Sequence, residues 1–332
     1  MTSTNSTSRD AADTDPSPRT VADTAPIPQN VENPAVVSIL PEAAALARDL
    51  RLVVCDMDGT LLDENGRIPE DFWPLLDELN DRGIGFVPAS GRQYATLADM
   101  FSRGLAGMPI IAENGSFVVR DGSEVHSSTL SKAAVADVVE RSRALGRAEL
   151  GVVVCGKRTA HVESTSPFFL DNVSKYYVLN RIERDLLAID DDVLKVALFD
   201  AENAREFAFP LVEDMAETHD VVISGENWTD VMVKGTNKGG ALRALQRSLG
   251  VSPAQTAVFG DYLNDYEMMA EAELSFAMAN AHPDLMAGSL HRTFERRARG
   301  PQHPPGTPGL HGMTGLLRAC SAFALILQSS HR

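Results

Sequence analysis

Short apolar runs alternate with helical segments over residues 51–115, and the same alternation returns over residues 233–288. The runs are rich in Val, Ile, Leu and Phe, and most are followed by a stretch whose apolar residues recur at helical spacing. Strands that alternate with helices in this way form βαβ units and a parallel sheet. The pattern therefore predicts an α/β fold with a Rossmann-like parallel-sheet core.

The segment between these two parts has a different pattern. Two alternating runs flank Asp121-Gly122, which is a hairpin signal, and mixed strand and helix patterns then continue over residues 130–232. We interpret 130–232 as an inserted α+β domain. The predicted core is therefore split into residues 41–129 and residues 233–288.

Both ends of the chain have the composition of loops or disordered segments. Residues 1–40 are rich in Ser, Thr, Asp and Pro and contain no aromatic residue, so we predict a disordered tail. Residues 289–332 are rich in Arg, Pro, Gly and His, which predicts an atypical, linker-like or disordered C-terminal segment.

Composition limits the classes of partner. The 332 residues carry a formal net charge of −16, which argues against nucleic acid or an anionic membrane as a partner. It remains compatible with a small phosphorylated metabolite bound at a locally cationic site. Three widely spaced cysteines form no disulfide framework, no apolar run reaches the roughly 18 residues of a transmembrane helix, and no signal peptide is apparent, so we expect a cytoplasmic protein.

Two acidic residues follow the first apolar run of the core. Asp56 ends this predicted strand, and Asp58 lies two positions later, so both side chains can reach the same crevice at the carboxyl edge of the sheet. A carboxylate can attack phosphorus and form an aspartyl-phosphate. A second carboxylate can protonate the leaving oxygen and then activate water. The pair therefore fits phosphoryl transfer.

Two carboxylates would repel a phosphate unless cations were present. Mg²⁺ is the expected cofactor because it prefers oxygen ligands and bridges carboxylate to phosphate. Asp261 follows another predicted strand and can supply a further ligand. Lys238 begins a predicted helix and can neutralise the phosphate, and Ser90 follows a third strand and can hold a phosphate oxygen.

These residues lie in four motifs that resemble those of the haloacid dehalogenase (HAD) superfamily, and in particular its Cof-like phosphatases with a large α+β cap. The motifs occur in the family's order as DMDGT, SGR, NKG and GDYLND, and the stretch AENGS before the insert is also similar. The similarity extends from residue 51 to about residue 285. After this point the family's usual final strand is not recognisable.

The resemblance implies a role for each residue. Asp56 would be the nucleophile and Asp58 the general acid and base. The implied phosphate-binding set is Ser90, Gly91, Lys238 and Asn264. The implied metal set is Asp56, Asp58 (through its backbone carbonyl) and Asp261, with Asp265 in support. Residues 130–232 would be the cap that selects the substrate.

The function predicted from the sequence is a Mg²⁺-dependent phosphatase acting on a small phosphorylated metabolite, such as a sugar phosphate. A phosphomutase or other phosphotransferase of the same fold is the first alternative. A dehalogenase is disfavoured by Asp58, because dehalogenation needs no acid for a leaving alcohol. A binding protein without catalysis would be expected to lose one of the two acids. The sequence does not identify the metabolite.

Overall fold

A computed structural model describes residues 47–288 and 291–292 of the chain. Its strands form two separate sheets. Numbered along the chain, the strands are β1 Leu52–Asp56, β2 Gly85–Ala89, β3 Ile110–Ala112, β4 Phe117–Arg120, β5 Ser123–Ser127, β6 Leu150–Gly156, β7 Ala160–Val162, β8 Asn180–Ile182, β9 Val193–Asp200, β10 His219–Ile223, β11 Trp228–Val233, β12 Thr256–Gly260, β13 Leu274–Ala277 and β14 His291–Arg292. The helices are α1 Phe72–Asp81, α2 Tyr94–Met100, α3 Lys132–Leu145, α4 Pro167–Tyr176, α5 Phe209–Val212, α6 Lys238–Leu249, α7 Tyr266–Met269 and α8 Pro283–Gly288.

The first sheet has the strand order β14-β13-β12-β1-β2-β3-β4-β5. The strands from β14 to β3 run parallel to one another, and every residue of the central strand β1 is buried. Apolar residues on the two faces of this sheet belong to two different core clusters, as expected for a parallel sheet covered on both sides. This confirms the predicted α/β class with a parallel-sheet core.

A hairpin completes this sheet beyond β3. Strands β4 and β5 are antiparallel and are joined at Asp121 and Gly122, whose φ angles are 50° and 69°. Two successive residues with positive φ are the requirement of a type I′ turn, and Asp-Gly is among the pairs that satisfy it. The sequence signal at this position therefore corresponds to a real hairpin.

The second sheet has the strand order β10-β11-β9-β6-β7-β8 and is antiparallel except for the pair β7–β8. One face packs on α3 and α5 through a cluster that includes Val138, Val196 and Val212. The other face packs partly on α4, through a cluster that includes Phe169 and Phe199. The chain enters this region after β5 and leaves it before α6, so the parallel sheet is built from two separate parts of the sequence.

Several elements differ from the sequence-based expectations. Helix α4 was not predicted. The stretches FAFPLVEDMAETHD and DYEMMAEA have helical spacing and are largely helical, but their α-helical parts, α5 and α7, are single turns. A π-helical turn at Ala204–Ala208 and a 3-10 turn at Glu213–Glu217 flank α5, and a 3-10 turn at Leu263–Asp265 precedes α7. Strand β14 pairs in parallel with β13 at a position where no final strand could be recognised. The tail predicted for residues 1–40 and most of the segment 289–332 lie outside the described residues. Within the described residues, no helix combines the length and the apolarity needed to cross a bilayer.

Candidate active site

Strand β1 delivers Asp56 to the carboxyl edge of the parallel sheet. Its side chain is almost fully buried, and its Oδ1 accepts a hydrogen bond of 2.5 Å from Nζ of Lys238. Nζ also donates to Oδ1 of Asp265 at 2.7 Å. A buried ammonium is therefore shared by two carboxylates from distant parts of the chain, as expected where a buried charge must be paired.

Lys238 is placed by the start of α6. The side chain of Asn237 caps this helix by accepting a hydrogen bond from the Gly240 amide at 2.8 Å, and Lys238 is the first helical residue. Lys238 has no exposed surface. Burial lowers the pKa of Lys238, but Asp265 and Asp56 outweigh this effect and raise it above its ordinary value. The side chain is thus held as a cation at a helix N-terminus, where anions are favoured.

Asp261 and Asp265 follow β12 and have different surroundings. Oδ2 of Asp265 accepts hydrogen bonds from the backbone amides of Asp261 and Tyr262, while its Oδ1 is bonded to Lys238. Both oxygens of Asp265 are therefore occupied by donors. Asp261 instead accepts bonds from side chains, from the Thr60 hydroxyl at 3.3 Å and from the Asn280 amide at 3.1 Å.

Gly59 makes the close approach of the first and fourth motifs possible. Its φ is +84°, and a Cβ at this position would lie 2.0 Å from Oδ2 of Asp261. Only glycine satisfies both the left-handed backbone and this contact. The turn after β1 is therefore shaped to fit the carboxylate of Asp261 against the backbone.

Three carboxylates converge at this point. Oxygen atoms of Asp56, Asp261 and Asp265 all lie within 4.8 Å of one another. Burial raises the pKa of Asp56 well above its ordinary value, and Asp265 raises it further, against the lowering effect of Lys238. Burial and Asp265 also raise the pKa of Asp261 to about 6. One lysine does not balance three acids, so this donor set of oxygens fits a hard divalent cation.

Asp58 differs in position from the other acids. Its carboxylate turns to Arg92, with Nη2 to Oδ1 at 2.6 Å and Nε to Oδ2 at 2.9 Å, and its side chain is 58% exposed. The Asp58 carboxylate is therefore not part of the acidic cluster, where Asp265 stands in its place. A metal contact of Asp58 would have to come from its backbone carbonyl.

The remaining predicted residues border the same crevice. Ser90 directly follows β2, is buried, and accepts a hydrogen bond of 3.2 Å from the Arg92 amide. Gly91 lies against the side chain of Asn114, to which a Cβ would come within 3.0 Å. Asn264 donates to Oδ1 of Asn114 at 3.2 Å rather than to an atom of the acidic cluster.

Sequence reasoning missed the residues that join these segments. Arg92 was noted only as the last residue of the SGR motif, and its contact with Asp58 was not predicted. Asn114 lies in a short turn at Glu113–Gly115 and has a φ of 54°, a conformation in which Asn is enriched. Thr60 and Asn280 contact Asp261 from two distant parts of the chain, and no local pattern indicates such contacts.

Comparison with known proteins identifies the family of this chain. The family model described as haloacid dehalogenase-like hydrolase matches residues 53–294. The chain belongs to this family. The family predicted from the sequence is therefore confirmed.

Curated relatives of this HAD-like chain are named as phosphatases. The 5-amino-6-(5-phospho-D-ribitylamino)uracil phosphatase YbjI of Escherichia coli is 32% identical over 259 residues, which is 76% of this chain and 93% of that protein. The HMP-PP phosphatase of Cronobacter sakazakii is 27% identical over 252 residues, covering 73% of this chain and 88% of that protein.

Solved structures show the same fold. TM0651 from Thermotoga maritima matches with a TM-score of 0.66 and 25% identity, covering 74% of this chain and 92% of that one. The HAD subclass IIB sugar phosphatase BT4131 matches with a TM-score of 0.61 and 20% identity, covering 74% and 93%. At the latter identity the likeness shows the fold alone.

Proposed function

We propose that this protein is a cytoplasmic, Mg²⁺-dependent phosphatase that hydrolyses a small phosphorylated metabolite through an aspartyl-phosphate on Asp56. The observation that carries the proposal is the buried Asp56–Lys238 pair beside Asp261 and Asp265 at the end of β1. The names of the curated relatives support a phosphatase rather than a dehalogenase. The buried free thiol of Cys155 supports a reducing compartment.

Asp56 is the nucleophile in this proposal. Lys238 holds its Oδ1 and fixes the carboxylate, so that Oδ2 can attack phosphorus while the bond from phosphorus to the leaving oxygen breaks. The transferred phosphoryl group would lie against the Ser90 hydroxyl, the Gly91 backbone and the Lys238 ammonium. Asn264 borders this position through Asn114. Water then attacks phosphorus, which releases phosphate and returns Asp56 to its carboxylate form.

Asp58 is the proposed acid and base. Arg92 occupies both of its oxygens in the structure, so the Asp58 side chain has to turn away from Arg92 and pick up a proton from water before it can protonate the leaving oxygen. After that oxygen departs, Asp58 can take a proton from the attacking water. The exposed position of Asp58 leaves room for this rotation.

Asp56, Asp261 and the Asp58 carbonyl are the proposed ligands of Mg²⁺. When bound, the ion would offset the charge of the carboxylates and of the phosphate. Asp265 is assigned to support, because donors already occupy both of its oxygens. Its contribution is to hold Lys238 and the backbone that carries Asp261.

The region of the second sheet, residues 130–232, is the proposed cap. It would cover the crevice and contact the leaving group, while the parallel sheet contacts only the phosphoryl group. The relatives named above act on a phosphoribitylamino-uracil and on HMP-PP, and a structural neighbour is titled a sugar phosphatase. We therefore propose a substrate from the class of small phosphorylated metabolites of this size.

The test is phosphate release by the purified protein from a panel of phosphorylated metabolites and from p-nitrophenyl phosphate. We expect activity that EDTA abolishes and Mg²⁺ restores. Asp56→Asn should be inactive because it lacks the attacking oxygen. Asp63→Asn is the matched control, since Asp63 lies in the same segment but caps a turn through the amides of Asn65 and Arg67.

Two results would contradict the proposal. If Asp56→Asn hydrolysed p-nitrophenyl phosphate at the wild-type rate, Asp56 could not be the nucleophile. If the enzyme kept full activity in the presence of chelator, it would not depend on a metal. Transfer of phosphate to an added sugar or alcohol, instead of release into water, would favour the phosphotransferase alternative. Substrate binding without turnover in the presence of Mg²⁺ would favour a binding protein.

A further inference from the structure

A second buried charge cluster lies where the two sheets meet. Nζ of Lys195, on β9 of the second sheet, is 2.9 Å from Oε2 of Glu113 and 3.4 Å from Oδ2 of Asp230. Glu113 belongs to the turn after β3 of the parallel sheet, and Asp230 belongs to β11. All three side chains are at least 95% buried.

Lys195 also reaches the loop proposed to hold phosphate. Its Nζ donates to the carbonyl oxygen of Gly91 at 3.4 Å. Gly91 lies between Ser90, whose hydroxyl is assigned to a phosphate oxygen, and Arg92, which holds Asp58. A residue of the second sheet is therefore bonded to the backbone of the loop between these two groups.

The charges of the cluster keep this contact in place. One ammonium stands between two carboxylates, so the cluster has a formal excess of one negative charge. Oε1 of Glu113 has no hydrogen-bond partner among the described residues. A buried lysine in this setting stays ionised, because both acids favour its charged form. The Lys195 side chain is consequently fixed at both of its acidic neighbours while it donates to Gly91.

A separate contact between the two parts does not involve this loop backbone. The Thr96 hydroxyl on α2 donates to the carbonyl of Tyr176 at 3.1 Å and accepts from the amide of Val178 at 3.3 Å. Thr96 is as buried as the members of the cluster. Thr96 therefore serves as a control, because it also joins the second-sheet region to the parallel-sheet region but does not contact Gly91.

We infer that Lys195 is a positioning residue for phosphate binding: it couples the docking of the second-sheet region to the placement of the loop Ser90–Arg92. The inference rests on the proposed function, because it assigns that loop to the phosphoryl group. Loss of the Lys195 contact lets the loop move while the acidic cluster at Asp56 stays intact. Phosphate is then bound more weakly both in the substrate and in the transition state.

The first experiment compares Lys195→Met with Thr96→Val, using p-nitrophenyl phosphate as substrate and inorganic phosphate as inhibitor. We expect Lys195→Met to raise KM and the inhibition constant of phosphate by about tenfold or more, with a much smaller change in kcat. Thr96→Val should change both constants less than about threefold. A merely structural role of Lys195 would lower the folded fraction, and hence the apparent kcat, and leave KM unchanged.

Glu113→Gln keeps the inference testable if Lys195→Met does not fold. This variant leaves Lys195 paired with Asp230 and brings the formal charge of the cluster to zero, so no buried charge is left alone. It removes the ion pair between the two parts of the molecule. We expect it to raise KM and the phosphate inhibition constant several-fold at an unchanged melting temperature, and unchanged constants would overturn the inference.

Hydrogen exchange gives a readout that needs no activity. Amides of residues 90–93 should exchange about tenfold faster in Lys195→Met, or in Glu113→Gln, than in the wild type and in Thr96→Val. Equal exchange in all variants overturns the inference even if the enzyme is a phosphatase. Absence of phosphatase activity in the wild type refutes the proposed function, and the exchange comparison then still decides whether Lys195 fixes this loop.

Discussion

Replacing Gly59 by alanine should separate the geometry of the site from the stability of the fold. Gly59 has a φ of +84°, and an alanine in the left-handed region costs about 1–2 kcal/mol. The added Cβ would lie 2.0 Å from Oδ2 of Asp261, whereas ordinary contacts begin at 3.4 Å. The Asp261 carboxylate therefore has to move by about 1.4 Å, the difference between 3.4 and 2.0 Å.

A displacement of the Asp261 carboxylate by this distance is large enough to reduce the rate of the reaction. Misplacement of a catalytic group by about 1 Å can reduce the rate roughly a hundredfold. We expect Gly59→Ala to lose about two orders of magnitude in kcat/KM for p-nitrophenyl phosphate and to bind Mg²⁺ more weakly by calorimetry. The conformational cost alone should lower the melting temperature by roughly 2–8 °C.

Gly83→Ala is the matched control. Gly83 follows α1 with a φ of +71°, and a Cβ there meets no atom within 4 Å. It should therefore share the stability loss of Gly59→Ala without the loss of activity or of Mg²⁺ binding. If Gly59→Ala kept its activity within about threefold of Gly83→Ala, the fit between Asp261 and the turn after β1 would not matter for catalysis.

Three further variants test other parts of the structure. Asp58→Asn should cut kcat by roughly 10²–10⁴ on alkyl phosphates and much less on p-nitrophenyl phosphate, whose leaving group needs little protonation, and an equal loss on both would refute the acid role. Asp265→Asn should lower both the melting temperature and kcat/KM, because Lys238 and the Asp261 amide each lose a charged hydrogen-bond acceptor. Unchanged activity of this variant would show that Asp265 does not support the site. Asp200→Asn should destabilise the fold at neutral pH. Burial alone would raise the pKa of Asp200, but Arg147 and the amides of Glu202 and Asn203 lower it below its ordinary value. Its stabilising effect is thus present above about pH 4 and disappears as the pH falls through the lowered pKa, so wild type and Asp200→Asn should converge in stability in strong acid. A constant difference down to that pH would refute this account.

The sequence was sufficient to predict which strand ends meet. Asp56, Lys238 and Asp261 each stand at a strand end or a helix start, and parallel strands bring such positions to one edge. The orientation of Asp58 could not be predicted, because it depends on Arg92, whose guanidinium reaches back from the loop after the next strand. Backbone position follows from local pattern, whereas side-chain direction depends on partners elsewhere in the chain.

The contacts between the parallel-sheet region and the second-sheet region also could not be predicted from the sequence. Lys195 lies in the run VLKVALFD, where a lysine among buried apolar residues is the one local sign that a partner exists. Glu113 and Asp230 are distant from it along the chain, and Thr96 donates to the carbonyl of Tyr176, the last residue of the unpredicted α4. Such pairings are set by tertiary packing and leave no periodic signal.

The position of β1 has a consequence for synthesis of the chain. Its partner on one side is β2, which follows soon after, but its partner on the other side is β12, which begins about 200 residues after Asp56, at Thr256. At translation rates of about 5–20 residues per second, roughly 10–40 seconds pass between the synthesis of β1 and the synthesis of β12. Throughout that interval the nascent chain exposes an apolar strand edge able to pair with another chain. Chaperone engagement during translation should therefore centre on β1 and β2 and end once β12 leaves the ribosome.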